Sequence, residues 1–436
     1  MTPQSSFMVL ATLPRSRMAS MRELLATMNL EPGVVNPDNS LVPFRKLESL
    51  HFARFVVMDD QTTGDIEALY GVTRPAPPVY LAFLGDFDGS YDAFLPLLLK
   101  HASSGLRQIF SLCDGFARDA DLHAWFLSHE QSPAAYYCNF VGRTVVQTRE
   151  EECLRLALRG YLSVTPGLAD RSPGEIHRAL RAFVEKETAA GRLKLTPPAP
   201  TPLGWALRHV LDWVALILLV VLGVLTLPVT IIPLLLAAWK LRSLENSDPE
   251  FSPRPDPQWA DHLATLEDHD VTNQFSAMGT LKPGWFRSAI VAAVLYIIDL
   301  AARTIYTQGL LARVHTIHFA RWVYLDNRQR MYFASNYDGS LEAYMDDFIN
   351  KVGFGLNVVF SNGVGYPRTA WLLLKGAKDE QEFKYHLRRH QLPTEVWYNA
   401  HAGLTAFDLH RNSRIRAGLE KSVLSEPQCR EWVALL

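Results

Sequence analysis

Two Asp-Gly-Ser turns carry the carboxylates with the strongest case for chemistry. Asp88 and Asp338 each lie in a DGS triplet between a strand-like and a helix-like segment. A carboxylate in that place can exchange a proton with a bound substrate. It can equally cap the following helix, because Asp and Ser side chains accept hydrogen bonds from the first free N–H groups of a helix. The presence of the triplet in two places favours capping, and both roles stay open.

Arginines and histidines supply the next candidates. His51 and His318 begin the near-identical stretches HFARFVVM and HFARWVYL, and Arg54 and Arg321 follow three residues later. On a strand, residues three apart point to opposite faces, so one of each pair faces the interior or a partner. The alternative is a polar strand start satisfied by hydrogen bonds. The catalytic candidates are Asp88, Arg321 and Asp338.

Three histidines near the C-terminus are candidate ligands. His390, His401 and His410 face other residue types when the segments around Gln-Ser-Pro and Gln-Leu-Pro are aligned. Neutral imidazole commonly binds metal ions and haem iron. His410 is preferred, because arginines such as Arg414 follow it and could contact haem propionates or lipid phosphates. Each histidine can instead be an ordinary surface residue. We predict no separate metal site, since the consecutive residues 267–270 cannot all point at one ion.

The elements that position these residues recur along the chain. An offset of 250 residues relates Asp88 to Asp338 and holds through the helix that follows. Each copy alternates strand and helix patterns in the order β-β-α-β-(α)-β-α, with the strand after the first helix at residues 108–116 and 356–366. This order is that of a ferredoxin-like unit. We therefore predict an α+β fold of two tandem ferredoxin-like halves, an internal duplication, pairing as an α+β barrel.

A membrane segment separates the two copies. Residues 213–239 contain 27 residues without a charge, whereas about 20 apolar residues suffice to span a bilayer. Pro228 and Pro233 interrupt the stretch, which suggests either one kinked helix or a helical hairpin. If the halves pair, they lie on one side of the membrane, and an odd number of crossings is excluded. We therefore predict the hairpin.

These patterns give the following division of the chain. Residues 1–45 form an N-terminal extension, 46–195 the first half, 196–310 a membrane insert and 311–436 the second half. Within the insert lie the hairpin at 209–240, a linker at 241–283 and an interfacial amphipathic helix at 284–306.

Two resemblances bear on function. Duplicated ferredoxin-like halves in one barrel resemble the dimeric α+β barrel superfamily, which includes dye-decolorising peroxidases and chlorite dismutases. The residues Gly85-Asp-Phe-Asp88-Gly89 match the GxxDG motif of those peroxidases, in which the Asp and a distal Arg act on peroxide above a His-bound haem. The second copy, at 335–339, lacks the first glycine. The segments IHFARW, SNYDGS, LKPG and VWYNAH look more like a group of uncharacterised bacterial membrane-associated proteins.

Composition narrows the functional classes. A formal net charge of −2 gives no basic surface for nucleic acid, and four scattered cysteines without a CxxC motif predict neither a zinc ribbon nor a disulfide framework. The N-terminus lacks the pattern of a secretory signal. With the bacterial resemblance, this places the protein on the cytoplasmic side of the inner membrane, as a monotopic or hairpin-anchored protein.

Two main functional hypotheses follow. The first is a haem-dependent, peroxidase-like oxidoreductase acting on a lipophilic substrate, with haem as the cofactor. The alternative is a non-catalytic, membrane-anchored lipid-binding or assembly protein. A cofactor-free barrel enzyme of the monooxygenase type is a third possibility. The expected partners are membrane lipid and a lipophilic small molecule; nucleic acid is excluded, and a homo-oligomer is left open.

Overall fold

Two four-stranded antiparallel sheets form the centre of the molecule. The computed structural model describes residues 1–117, 119–309, 311, 314–421 and 424–436. The main strands in chain order are β1 (Gln4–Leu13), β2 (Leu50–Met58), β3 (Val79–Asp88), β4 (Ala135–Cys138), β5 (Thr272–Thr280), β6 (Ile317–Leu325), β7 (Arg330–Asp338) and β8 (Thr394–Asn399). The first sheet has the order β1-β3-β2-β8 and the second β5-β7-β6-β4. The prediction of an α+β fold is confirmed at this level.

The helices follow the strands in chain order. They are α1 (Met18–Ala26), α2 (Tyr91–Phe110), α3 (Leu122–His129), α4 (Val145–Val164), α5 (Pro173–Ala189), α6 (Leu203–Ser247), α7 (Trp285–Thr304), α8 (Leu341–Phe360), α9 (Glu380–His390), α10 (Ala406–Glu420) and α11 (Glu426–Val433). Shorter pieces are the helices Asp65–Tyr70 and Pro257–Ala264, the 3₁₀ turns Arg15–Arg17, Phe44–Lys46 and Gly376–Lys378, and the strand pairs Asn29–Glu31 with Val34–Val35 and Thr369–Ala370 with Leu374–Lys375.

Each sheet takes one edge strand from the distant part of the chain. The C-terminal strand β8 pairs with β2, and Trp397 lies opposite Arg54. Strand β4, which precedes the long helix α6, pairs with β6, and Tyr136 lies opposite Arg321. The exchange ties the two sheets together, because neither is complete without a strand from the other part of the chain.

The two sheets pack face to face over a shared apolar layer. This inter-sheet layer consists of Met8, Val56, Met58, Ala82, Leu84, Met278, Val323, Leu325, Tyr332, Ala334 and Leu392. The outer faces are covered by helices. On the first sheet, α2 places Phe94, Leu98 and Leu106 in the buried core. On the second sheet, α8 places Leu341, Tyr344 and Met345 there. Strands covered on both sides are apolar on both sides, which removes the alternation typical of half-exposed strands.

Two arginines cross the inter-sheet layer in opposite directions. Arg321 on β6 donates to the carbonyl oxygens of Phe7 (2.7 Å) and Gly85 (3.0 Å), and to the carboxylate of Asp86. Arg54 on β2 donates to the carbonyl oxygens of Phe275 (2.8 Å) and Ser335 (2.9 Å), and to the side-chain oxygen of Asn336. Both arginines are 3% exposed. Burial, with Arg321 nearby, lowers the pKa of Arg54 to about 10.

The sequence pattern gives β2, β3, β6 and β7 correctly, but other elements differ from prediction. The strands predicted at 108–116 and 356–366 are wrong, because α2 continues to Phe110 and α8 to Phe360. In α2 the buried residues Leu106, Ile109 and Phe110 keep helical spacing to the end. The edge strands β1, within residues 1–45, and β5, within residues 241–283, are not predicted by the pattern.

The predicted membrane hairpin is also wrong. Residues Leu203–Ser247 form one helix, α6, with Pro228 and Pro233 inside it. A proline removes one hydrogen bond but has a φ that suits a helix, and no Gly, Asn or Asp lies between these two prolines to make a reversing turn. At 1.5 Å per residue α6 is roughly 65 Å long.

The helix predicted to be interfacial at 284–306 is α7, and it also belongs to the folded body. Its residues Val291, Leu295 and Ala302 join the core of the second sheet. By length and composition, α6 and α7 are the two helices among the described residues that could cross a membrane.

The crossed arginines differ in a way that a pair of variants can test. Arg321→Met leaves the buried Asp86 carboxylate with Tyr136 and Asn336 as its neutral partners, and an uncompensated buried charge costs about 3–5 kcal/mol. Arg54→Met leaves neutral acceptors without their donor, and leaving such buried acceptors without a hydrogen bond costs about 1–3 kcal/mol. We expect Arg321→Met to lower the free energy of unfolding more than Arg54→Met in denaturant titrations followed by tryptophan fluorescence. Adding Asp86→Asn to Arg321→Met should restore part of the loss; equal losses for the two single variants would contradict the assignment.

Candidate functional site

Two histidine–aspartate pairs lie at corresponding ends of the two sheets. His51 on β2 places Nε2 2.9 Å from Oδ1 of Asp88, the last residue of β3. His318 on β6 places Nε2 2.6 Å from Oδ1 of Asp338, the last residue of β7. All four side chains are buried. The antiparallel pairing of β2 with β3 and of β6 with β7 brings the start of one strand beside the end of the next and so forms each pair.

The second oxygen of each aspartate binds the start of a later helix. Oδ2 of Asp88 accepts from the backbone N–H of Val145 at 2.9 Å, and Oδ2 of Asp338 from that of Ala406 at 2.8 Å. Val145 and Ala406 are the first residues of α4 and α10. A carboxylate is favourable there, because the first N–H groups of a helix lack partners within it. Both aspartates therefore position a helix as well as a histidine.

His401 has no counterpart in this arrangement. Its Nε2 lies 2.8 Å from Nδ1 of His51. If His51 donates from Nε2 to Asp88, its Nδ1 must accept, so His401 donates from Nε2 and carries its lone pair on Nδ1. That Nδ1 is buried without a partner among the described residues. Burial, then His51 and His318, hold the pKa of His401 well below its usual range. Asp88, His51 and His401 thus form a chain that ends in a neutral base.

This base faces a small polar cavity of about 30 Å³. The lining residues are His51, Phe52, Asn139, Phe140, Arg143, Thr148, His318, Phe319, His401, Ala406 and Leu409. Nη2 of Arg143 and Oδ1 of Asn139 are likewise buried without partners in the described part of the chain. A cavity of about 10–15 Å³ is enough to hold one water molecule. The polar cavity therefore has room for a water-sized molecule that accepts from Arg143 and donates to His401.

A second and much larger cavity lies behind the second sheet. It has a volume of about 280 Å³ and is enclosed by the outer face of that sheet and by α7, α8 and α9. Its lining contains no Asp, Glu, Lys or Arg. The polar side chains in the lining are Tyr306, Trp322, Tyr344, His386 and His390. A volume near 300 Å³ and a mainly apolar wall are typical of small-molecule sites.

The corresponding place behind the first sheet is filled. Gly105 of α2 packs so closely on the loop at Leu41 that an added Cβ would lie 2.1 Å from the Leu41 carbonyl oxygen. An added Cβ at Gly355 of α8, 250 positions later, would have the Cβ of Val352 at 3.9 Å as its neighbour among the described residues. Helix α8 also leaves helical geometry at Val352 (φ −141°, ψ 27°). The large cavity is thus a local property of the second sheet.

The structure brings together some of the predicted site residues. His51 and His318, which bind Asp88 and Asp338, both line the polar cavity, and so does His401. Arg321 lies elsewhere, in the inter-sheet layer, bound to Asp86. For His51 the sequence leaves open an inward-facing residue or a polar strand start, and no sequence pattern indicates the place of Arg143 in the cavity wall.

The remaining predicted ligands are dispersed. His390 lies in the wall of the large cavity, with its Nδ1 2.8 Å from the His386 carbonyl oxygen. His410 is exposed and lies beside Phe140, with 5.3 Å between ring centroids. Burial and then Arg143 lower the pKa of His410. Arg414 is exposed. The predicted set of His410, His401, His390 and Arg414 therefore does not converge on one site.

The two cavities do not fit haem. The polar cavity at His401 holds about one water molecule, far less than a macrocycle needs. The large cavity at His390 has no lysine or arginine in its wall to meet two propionates. Among the described residues, no group of three or more His, Cys, Asp or Glu is arranged to hold a metal ion.

Comparisons with protein-family models, with curated proteins and with solved structures give no match to this chain. The resemblance to the dimeric α+β barrel superfamily therefore stays a prediction, and the geometry of the cavities is the basis for a functional proposal.

The neutral state of His401 predicts how stability depends on pH. In the unfolded chain its pKa is about 6.5, and in the folded chain it is well below, so below about pH 6.5 the unfolded state binds more protons. Stability must then fall as the pH is lowered from 7 to 5. His401→Gln, whose amide can still donate to His51, should show a smaller fall in the free energy of unfolding. His123→Gln, at an exposed position, serves as the control and should keep the wild-type slope. A slope unchanged in His401→Gln would contradict a buried neutral His401.

Proposed function

We propose that the protein is a membrane-attached binding protein that holds a lipophilic molecule in the large apolar cavity behind the second sheet. The observation that carries the proposal is the cavity itself: about 280 Å³ with an uncharged wall, in a protein that also exposes a long apolar helix. Transfer of apolar surface from water into such a space is favourable. An apolar cavity of this size lowers stability as long as it stays empty.

The exposed helix supports membrane attachment. Between residues 217 and 236 of α6 nearly every side chain is exposed, and the residues are almost entirely Leu, Val, Ile and Pro. An exposed apolar surface of this length belongs in lipid rather than water. Trp213 and Trp239, 40% and 68% exposed, lie near its ends, where indole rings prefer the headgroup level.

Sheet membership favours a monotopic attachment. The strands before and after α6, β4 and β5, belong to the same second sheet, and so do β5 and β6, which precede and follow α7. This supports an arrangement in which the two ends of each helix lie on one side of the bilayer. Both ends of α6 also contact the folded body, at Asp212–Arg303 (2.6 Å) and at Asp248–Lys282 (2.8 Å). We propose that α6 lies along one leaflet on the cytoplasmic side of the membrane.

The two sheets support an origin by duplication. We infer that two ferredoxin-like units of the order β-α-β-β-α-β exchanged their last strands and paired as a barrel. Supporting this are the equal strand orders, the crossed arginines Arg54 and Arg321, and the pairs formed by Asp88 and Asp338. On this view the first unit kept a filled core, and the second gained the ligand cavity.

The monotopic arrangement predicts the labelling of both ends of α6 from one side. Arg208 and Lys240 are exposed at either end of the apolar stretch. In a background in which the exposed Cys153 is replaced by Ser, single cysteines at 208 and 240 should react with an impermeant maleimide in the same vesicle orientation. Detergent-opened vesicles give the total for each site. Labelling of the two sites from opposite sides would overturn the monotopic arrangement and leave the cavity untouched.

A substitution that fills the cavity tests the binding proposal. Gly355→Leu adds a side chain where open space lies beside α8, and leucine also suits a helix better than glycine by up to about 1 kcal/mol. Lipid extracted from the purified variant and analysed by mass spectrometry should contain less of the species that accompanies the wild type.

The matched control is Asn350→Leu. It adds the same side chain to the exposed face of α8 and should leave the bound lipid unchanged. A Gly355→Leu protein that folds, with unaltered melting temperature and unaltered lipid content, would count against the proposal.

A further inference from the structure

The uncharged wall of the large cavity limits the kind of molecule that can bind there more strongly than the cavity volume does. None of the side chains in the wall carries a fixed charge. Moving an ionised carboxylate or phosphate from water into such a space without a partner is strongly unfavourable. A fatty acid anion or a phospholipid headgroup therefore cannot be held inside it.

One polar group in the wall is nevertheless unused. Nε1 of Trp322 is buried without a partner in the described part of the chain, and Trp322 is 5% exposed. His386 already interacts with the backbone of Gly365. The hydroxyl of Tyr344 is likewise paired with Ser335 at 2.8 Å. A buried polar atom left without a partner costs free energy that a suitable ligand group would recover.

The imidazoles in the wall are electrically neutral. Burial, and then His390, hold the pKa of His386 well below its usual range; burial also lowers the pKa of His390. The positive charges of Arg389 and Lys282 also lower the pKa of His386. For His390, Asp60 and Asp65 oppose this shift. Neutral imidazole and indole offer hydrogen bonds and no countercharge.

We infer that the ligand is an uncharged lipid bearing a hydroxyl or carbonyl oxygen, such as a long-chain alcohol, ketone or quinone-type molecule. The oxygen accepts a hydrogen bond from Trp322 Nε1. The apolar chain fills the space between the second sheet and α8. This inference rests on the proposed binding function and specifies its ligand class.

The cavity reaches the surface beside the kink of α8. Phe354 lines the cavity and is 57% exposed, and it follows Val352 and Gly353, where the helix departs from regular geometry. Glycine next to a break is a common cause of a helix kink. The opening beside Phe354 therefore gives a lipid a way into the cavity that leaves the sheet intact.

Matched probes distinguish the ligand class. The protein, in lipid nanodiscs, is titrated with 1-decanol and with decanoate at pH 8, with the fluorescence change of its tryptophans as the signal. Decanol should bind at least about tenfold more tightly than decanoate, a difference of 1.4 kcal/mol. At pH 5, where part of the decanoate is protonated, the gap should narrow.

A conservative variant assigns the polar contact. Trp322→Phe removes the N–H and keeps a large ring. It should weaken decanol binding several-fold while leaving the binding of decane unchanged. The melting temperature shows whether the variant is folded.

The outcomes separate the two levels of the proposal. Binding of neither decanol, decanoate nor decane would overturn the binding function itself. Binding of decanoate as tightly as decanol at pH 8 would overturn the uncharged ligand class and leave the binding function standing. Equal binding of decanol and decane by the wild type would overturn the role of Trp322.

Discussion

The contact between Arg321 and Asp86 in the layer between the sheets is the interaction on which the rest of the structure depends. A charged pair that deep is tolerated only when geometry and further hydrogen bonds satisfy it. Here the carbonyl oxygens of Phe7 and Gly85 and the side chains of Tyr136 and Asn336 complete it. Because a shift of either sheet by one residue would break this set, the pair fixes the register in which the sheets face each other.

The face-to-face arrangement of the two sheets determines where the helices can lie. Each sheet has only its outer face left to cover, so the helices that connect the strands lie there, α2 on the first sheet and α8 on the second. The two long apolar helices, α6 and α7, both connect strands of the second sheet. In the proposed monotopic attachment, the membrane meets the protein on the side of the second sheet, where the large cavity lies.

The sequence predicts what is local and repeated, and fails where distant segments decide. The strands β2, β3, β6 and β7 and the DGS turns are found because their patterns occur twice. Strand β1 is missed because Phe7 and Val9 face the helices while Met8 faces the other sheet, so no alternation of polar and apolar residues marks it. The exchange of β4 and β8 depends on pairing across more than a hundred residues, for which one sequence carries no signal.

The candidate site likewise combines features that occur in both parts of the chain with features that occur in one. The histidine–aspartate pairs follow from repeated residues, and their recurrence indicates a shared structural role: each aspartate fixes one histidine and the start of one helix. Functional meaning therefore lies where the two parts differ. His401 extends one pair and not the other, and Gly105 is packed while Gly355 is open. The loop at Leu41 fills the space beside Gly105, whereas the space beside Gly355 stays open among the described residues; this difference supports the proposed occupant. Since the wall of that space is uncharged, the proposed occupant is an uncharged molecule, which a membrane-attached protein can take from the lipid phase.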